Sequence, residues 1–152
     1  TDEDQTLYTH GIAGCTAVII KYAGRFSYLA HISPYDQVYG ETRTDLITNM
    51  LKKIEYLEIT ASEKHKLRFF IISPNRTPFY NIVRKLLAHG YFLSQIVFLH
   101  NPQAAHANIK CNGQNNDVLV TWKMNDGSYL LEPASKRDNL QTEIEKRLIR
   151  SV

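Results

Sequence analysis

The chain is short of cysteine, of long apolar runs and of charge of one sign, and each shortage excludes something. Cys15 and Cys111 are its only two cysteines. Two thiols make no disulfide framework, and no Cys-x-x-Cys or Cys/His metal-ligand spacing surrounds them. A single disulfide stays open as an alternative, with free thiols in a reducing compartment the expectation. No apolar run approaches the roughly 18 residues that read as a membrane-spanning helix. No signal peptide is legible, and the start at Thr1 without a methionine leaves the chain compatible with being part of a longer one. The formal net charge is only +3. The basic clusters Lys52-Lys53, Lys64 to Arg68, Lys136-Arg137 and Lys146 to Arg150 alternate with acids or apolar residues, as solvated faces do. No basic stripe or aromatic platform is present, so neither a nucleic acid nor a membrane is expected as partner. Internal repeats, linkers and low-complexity segments are also missing.

What is there describes one domain over residues 1–152. Its 152 residues suffice for a single core, and 43% hydrophobic with 22% charged residues is ordinary globular composition. Leu7 to Ile12 reads as a short strand ending near a Gly14-Cys15 turn. Ala17 to Tyr22 is a largely buried strand, and Ala23-Gly24 turns the chain. Arg25 to Ile32 returns as its hairpin partner, with Phe26, Tyr28 and Ala30 alternating against Arg25, Ser27, Leu29 and His31. A helix is predicted over Thr44 to Glu58 and a doubly buried strand over Lys66 to Ser73. Thr77-Pro78 opens a second helix, with an apolar stripe of Phe79, Ile82, Val83, Leu86 and Leu87, that Gly90 ends. A strand comes next at Ile96 to Leu99. Asn101 to Asn108 is expected to be a loop, with strands at Ile109 to Cys111 and Val118 to Lys123. Asp126-Gly127 marks a tight hairpin into Tyr129 to Leu131, and a last helix carries Leu140, Ile144 and Leu148.

The chemistry concentrates near the first hairpin. A threonine stands six residues before Cys15 and a histidine sixteen after it. A thiol becomes a strong nucleophile only beside a base or positive charge. Two hairpin legs of nearly equal length bring His31 back toward Cys15, where it can take the thiol proton and return it to a leaving group. Gly14 allows a sharp turn and room for substrate, and backbone N–H groups at Gly14 and Cys15 could serve as an oxyanion hole. Thr9 could orient the imidazole or bind the substrate amide. Such a set suits acyl transfer from an amide. A bare Cys/His pair is nevertheless more often a buried small hydrophobe beside a structural histidine.

Gly14-Cys15-Thr16-Ala17-Val18-Ile19-Ile20 with Leu29-Ala30-His31-Ile32-Ser33-Pro34 after it resembles the chemoreceptor glutamine deamidase CheD. The order Thr9, Cys15, His31 also resembles bacterial toxins of that superfamily, the cytotoxic necrotizing factors and Burkholderia lethal factor. Their Leu-Ser-Gly-Cys motif has its counterpart here in Ile12-Ala13-Gly14-Cys15. The resemblance spans about residues 7–35. It implies an α/β (α+β) fold, a mixed and largely antiparallel β-sandwich flanked by helices. It implies a cysteine protein-glutamine deamidase converting a glutamine of a partner protein to glutamate, with Cys15, His31 and Thr9 catalytic. Such a site needs no metal or organic cofactor. The stretches Phe69 to Pro74 and Ile96 to Asn108 lack the paired glycines of CheD proteins. That difference points to a bacterial toxin or effector, secreted or translocated into a host cell, rather than to a chemoreceptor enzyme.

Other residues fit less well. His10 is a rival base, but neighbours on a strand face opposite ways. His65, His89, His100 and His106 show no metal spacing and read as surface or structural. Asn101, Gln103 and His106 could border the cleft from their loop, and Tyr35 and Tyr39 could wall it. Cys111 lacks a preceding glycine and is read as non-catalytic. A papain-like protease would place its Cys on a long helix and its His far downstream. A non-catalytic binding module, or an inactive deamidase homologue, is the alternative from another class.

Overall fold

A computed structural model describes residues 6–12, 16–22, 25–32, 46–57, 59–74, 79–112 and 118–134. The order of elements is β1 (Thr6–Ile12), β2 (Thr16–Tyr22), β3 (Phe26–Ile32), α1 (Leu46–Leu57), β4 (Arg68–Ser73), α2 (Phe79–Ala88), β5 (Ile96–His100), β6 (Ala104–Asn112), β7 (Val118–Met124) and β8 (Tyr129–Pro133). Short 3-10 helices at Ala61–Lys66 and Leu93–Gln95 precede β4 and β5.

The strands form two four-stranded sheets, ordered β3-β2-β4-β5 and β1-β6-β7-β8. All neighbours are antiparallel except β4 and β5. Parallel strands need a crossover, and α2 supplies it. The fold is therefore mixed α+β, with mostly antiparallel strands in two sheets and a few helices.

Period-two alternation along β2 and β4 builds two cores from the same strands. Val18, Ile20, Phe69 and Ile71 face one way and pack with Ile47, Leu51 and Ile54 of α1 and Ile82, Val83 and Leu86 of α2. Ala17, Ile19, Phe70 and Ile72 face the other way and pack with Ala107, Ile109, Val120 and Trp122 of the second sheet. Strands with both faces covered read as continuous apolar runs, as Ala17 to Ile20 and Phe69 to Ile72 do.

The two 3-10 helices are locked by one buried amide. Gln95 Nε2 donates to the carbonyls of Lys64 (2.9 Å) and Leu67 (3.0 Å), while its Oε1 accepts the Phe92 N–H at 3.0 Å. Every polar atom of a 4% exposed side chain is thus used. At the end of α2, Gly90 takes φ +90°, a left-handed conformation that side chains with a Cβ rarely adopt.

Four expectations need correction. Residues 104–108 belong to β6, not to a loop. A register shift between Ala104 and His106 makes Ala105 an extra residue, so the apolar alternation that marks a strand is broken there. Lys66 closes a 3-10 helix rather than opening β4. Leu87 is 36% exposed and leaves the buried stripe of α2. Lys64 is not simply solvated: its ammonium donates to the His89 carbonyl, lies 4.7 Å from the centre of the Tyr91 ring and reaches Glu55 at 3.5 Å. The helix-start motif at 75–78, the final helix, and the side chains of Leu46, Leu57 and Phe79 lie outside the described residues.

Candidate functional site

Thr9 and His31 reach one another from different sheets. Thr9 pairs with Ile109 on β6, and His31 pairs with Ala17 on β2. Ile109 and Ala17 both belong to the intersheet core, so Thr9 and His31 stand on the faces the two sheets turn toward each other. β1 and β3 are edge strands of their sheets. The two side chains therefore meet at the rim of the sandwich, with Leu7 and Leu29 packed against the core beneath. Thr9 Oγ1 lies 3.5 Å from His31 Nδ1, a long contact at an exposed site. Among the described residues nothing binds His31 Nε2.

Local backbone features place both residues. The register runs from Thr9↔Ile109 to Ile12↔Ala107, three residues of β1 against two of β6. One residue is therefore extra in the stretch His10-Gly11. Such a bulge bends a strand and re-aims the residues beyond it, here Ile12 at the end of β1. On β3 the register is unbroken from Tyr22↔Phe26 to Thr16↔Ile32. It sets His31 opposite Ala17, two residues along the chain from Cys15. Ala17 and Ile19 lie on the intersheet face. Gly14, Cys15, Tyr35 and Tyr39 lie outside the described residues, as does the side chain of His10.

The remaining candidates separate from this rim. His106 pairs with Lys123 on the face of the second sheet opposite to Ala107 and Ile109, so it does not border the Thr9–His31 cleft. Its Nδ1 is buried and has no hydrogen-bond partner among the described residues. Asn101 accepts the Gln103 N–H at 3.0 Å and stays in the turn before β6. His89 sits 3.5 Å from Glu55, which also accepts the Tyr91 hydroxyl at 3.0 Å. Burial, reinforced by Glu55, pushes the Tyr91 hydroxyl far above its ordinary range. A shallow pocket of about 220 Å³, lined by Glu55, Ile59, Thr60, Ala61 and Lys64, lies on the helical side of the first sheet, away from His31. Among the described residues its lining includes no cysteine or histidine.

Cys111 is a free, buried thiol in the intersheet core. Burial raises its pKa, and the nearby Lys21 ammonium only partly opposes that. A thiol so placed stays protonated at neutral pH and is a poor nucleophile. Lys21 itself is 0% exposed, inside the strand Ala17 to Tyr22 that the sequence marks as largely buried. Among the described residues no group of three or more His, Cys, Asp or Glu side chains could hold a metal ion, and no helix is long and apolar enough to cross a membrane. Compared with protein-family models and with curated proteins, the chain matches none.

Proposed function

We propose that this chain is a protein-glutamine deamidase of the CheD and toxin deamidase kind, with Cys15 as nucleophile, His31 as base and acid, and Thr9 as the residue that orients the imidazole. The observation that carries the reading is the Thr9 Oγ1–His31 Nδ1 contact across the two sheets. It engages one ring nitrogen and leaves Nε2 for a proton partner, and the β2–β3 register directs His31 to the start of the strand that Cys15 precedes. The mixed two-sheet architecture is of the kind the resemblance implies, and the CheD-like assignment of the fold is part of the proposal.

The chemistry balances without a cofactor. His31 Nε2 takes the Cys15 proton, and the thiolate attacks the carbon of the glutamine side-chain amide. Backbone N–H groups at Gly14 and Cys15 hold the oxyanion. The imidazolium gives its proton to the leaving nitrogen, ammonia departs, and a thioester remains. Water, deprotonated by His31, then cleaves the thioester to release glutamate and the thiol. Amine attack on the same thioester would be transglutamination. The target is a glutamine on another protein, and the setting is a bacterial effector or toxin.

The test begins with alkylation of Cys15 and Cys111 as a function of pH, read by peptide mass spectrometry. Cys15 is expected to label rapidly below the ordinary thiol range of about pH 8.5 and to slow in His31→Ala. Cells producing the wild-type chain should then show Gln-to-Glu conversion in a specific protein, absent with Cys15→Ser and with His31→Ala. Cys15 labelling no faster than Cys111, or conversion that survives both substitutions, overturns the reading in favour of a binding module.

A further inference from the structure

The pocket of about 220 Å³ beside the C-terminal end of α1 is lined by Glu55, Ile59, Thr60, Ala61 and Lys64. We propose that it is a binding site for a primary alkylammonium group, with the Glu55 carboxylate as acceptor. This stands apart from the deamidase reading, because it uses neither Cys15 nor His31.

Glu55 Oε1 accepts the Tyr91 hydroxyl at 3.0 Å and stands 3.5 Å from both the Lys64 ammonium and His89 Nδ1. No hydrogen bond or ion pair among the described residues ends on Glu55 Oε2. The other polar side chains of the lining are committed. Thr60 gives its N–H and its hydroxyl to Glu63 Oε1. Lys64 spends its ammonium on the His89 carbonyl, on Glu55 and on the face of the Tyr91 ring. An incoming anion therefore meets no uncommitted side-chain donor, whereas an incoming cation meets an uncommitted carboxylate oxygen.

The molecule uses the same chemistry at the neighbouring helix end. Lys64 sets an ammonium on an aliphatic stem against the carbonyl of His89, one residue past the end of α2. A cation there complements the partial negative charge of a helix C-terminus. The last turn of α1 has no basic residue and adds the Glu55 carboxylate. Lys64 answers only one oxygen of that carboxylate. Ile59 and Ala61 supply apolar surface on which an alkyl stem can lie while its charged head reaches Glu55. Ile59 is 9% exposed, and its N–H bonds the Ile54 carbonyl at 3.2 Å, which pins this wall to α1. The volume falls below the range of drug-sized sites, about 300–1,000 Å³, and fits one amine with a short stem. A free aliphatic amine and the side chain of a lysine on a partner protein share this chemistry.

An amide-resolved NMR titration at constant ionic strength tests this, with n-butylamine, Nα-acetyl-lysine methylamide, n-butanol and butyrate as probes. Both amines are protonated at about pH 7. Butylamine should move the Ile59, Ala61 and Lys64 amides saturably, with a Kd of about 1–10 mM. Equal binding of the lysine derivative would extend the site to a partner's lysine, and binding of butylamine alone would confine it to free amines. Glu55→Gln keeps an acceptor for the Tyr91 hydroxyl but removes the charge, and should weaken amine binding at least about tenfold. Ala61→Leu fills the pocket from an exposed position without touching the Glu55 contacts. It should weaken binding as much, and it decides the matter if Glu55→Gln does not fold. Butanol or butyrate binding as tightly as butylamine overturns the proposal. So does a lack of saturable shifts up to about 100 mM amine, or amine binding that either folded variant leaves unchanged.

Discussion

At the scale of single residues, the described charge network with a clear consequence is built around Glu63. Its Oε2 accepts the Tyr22 hydroxyl at 3.0 Å and the Arg25 guanidinium at 2.8 Å. Its Oε1 accepts the Thr60 N–H at 3.2 Å and the Thr60 hydroxyl at 3.0 Å. The Tyr22 hydrogen bond first, then those from Thr60, with Arg25 adding its charge, hold this carboxyl below its ordinary value of 4.5. A group whose pKa is lower folded than unfolded stabilises the fold above its unfolded pKa. That contribution is lost as pH falls through the folded value. Glu63→Gln is therefore expected to lower the urea midpoint more at about pH 7 than at about pH 3, because the carboxylate's contribution shrinks as pH falls below the ordinary value of 4.5. A gap of equal size at both pH values would show that the carboxylate charge is not what the network uses.

At the scale of elements, β4, like β2, packs on both faces, because its neighbouring residues serve different cores. Ile71 packs among α1 and α2, and Ile72 packs between the sheets. Both are 0% exposed. Ile71→Ala and Ile72→Ala should each cost about 2–5 kcal/mol in urea unfolding, while Tyr56→Ala, at an 87% exposed helix position, should stay within about 0.5 kcal/mol. Strands of this type were legible in the sequence. Apolar runs at Ala17 to Ile20 and Phe69 to Ile72 announced double burial, and the alternation of Phe26, Tyr28 and Ala30 against Ser27, Leu29 and His31 divided β3 between its two faces correctly. The first half of β6 was not legible, since an extra residue at Ala105 breaks the period on which strand recognition rests. The 3-10 helix at 61–66 was hidden for a different reason. Its residues are all at least partly exposed, so no apolar stripe betrays it, and its partners are distant in sequence. The candidate site shows the same division. Equal hairpin legs are enough to bring His31 toward the start of β2, whereas the approach of Thr9 depends on how two sheets stack, which no local pattern encodes.

At the scale of the whole molecule, the sharing of β2 and β4 between two cores decides how the fold comes apart. The helical layer has no sheet face of its own other than the one these strands provide, and the second sheet buries Trp122 against their other face. Neither core can open without stripping one side of strands that the other core needs. The second sheet could instead have been a separate unit, since β6, β7 and β8 pair only with β1 and one another among the described strands. In that case its loss would leave Ala17, Ile19, Phe70 and Ile72 facing water. Exposing four apolar side chains of this size forfeits several kcal/mol, comparable to the stability of an entire domain. The chain has one tryptophan, and Trp122 is 0% exposed in the intersheet core. Its fluorescence therefore reports on that core alone, while helical circular dichroism reports on α1 and α2. The two signals are expected to trace a single coincident transition in urea, with the same midpoint and slope. A fluorescence change that precedes the loss of helix would mean that the second sheet unfolds by itself and that the Thr9–His31 contact is broken before the first sheet is lost.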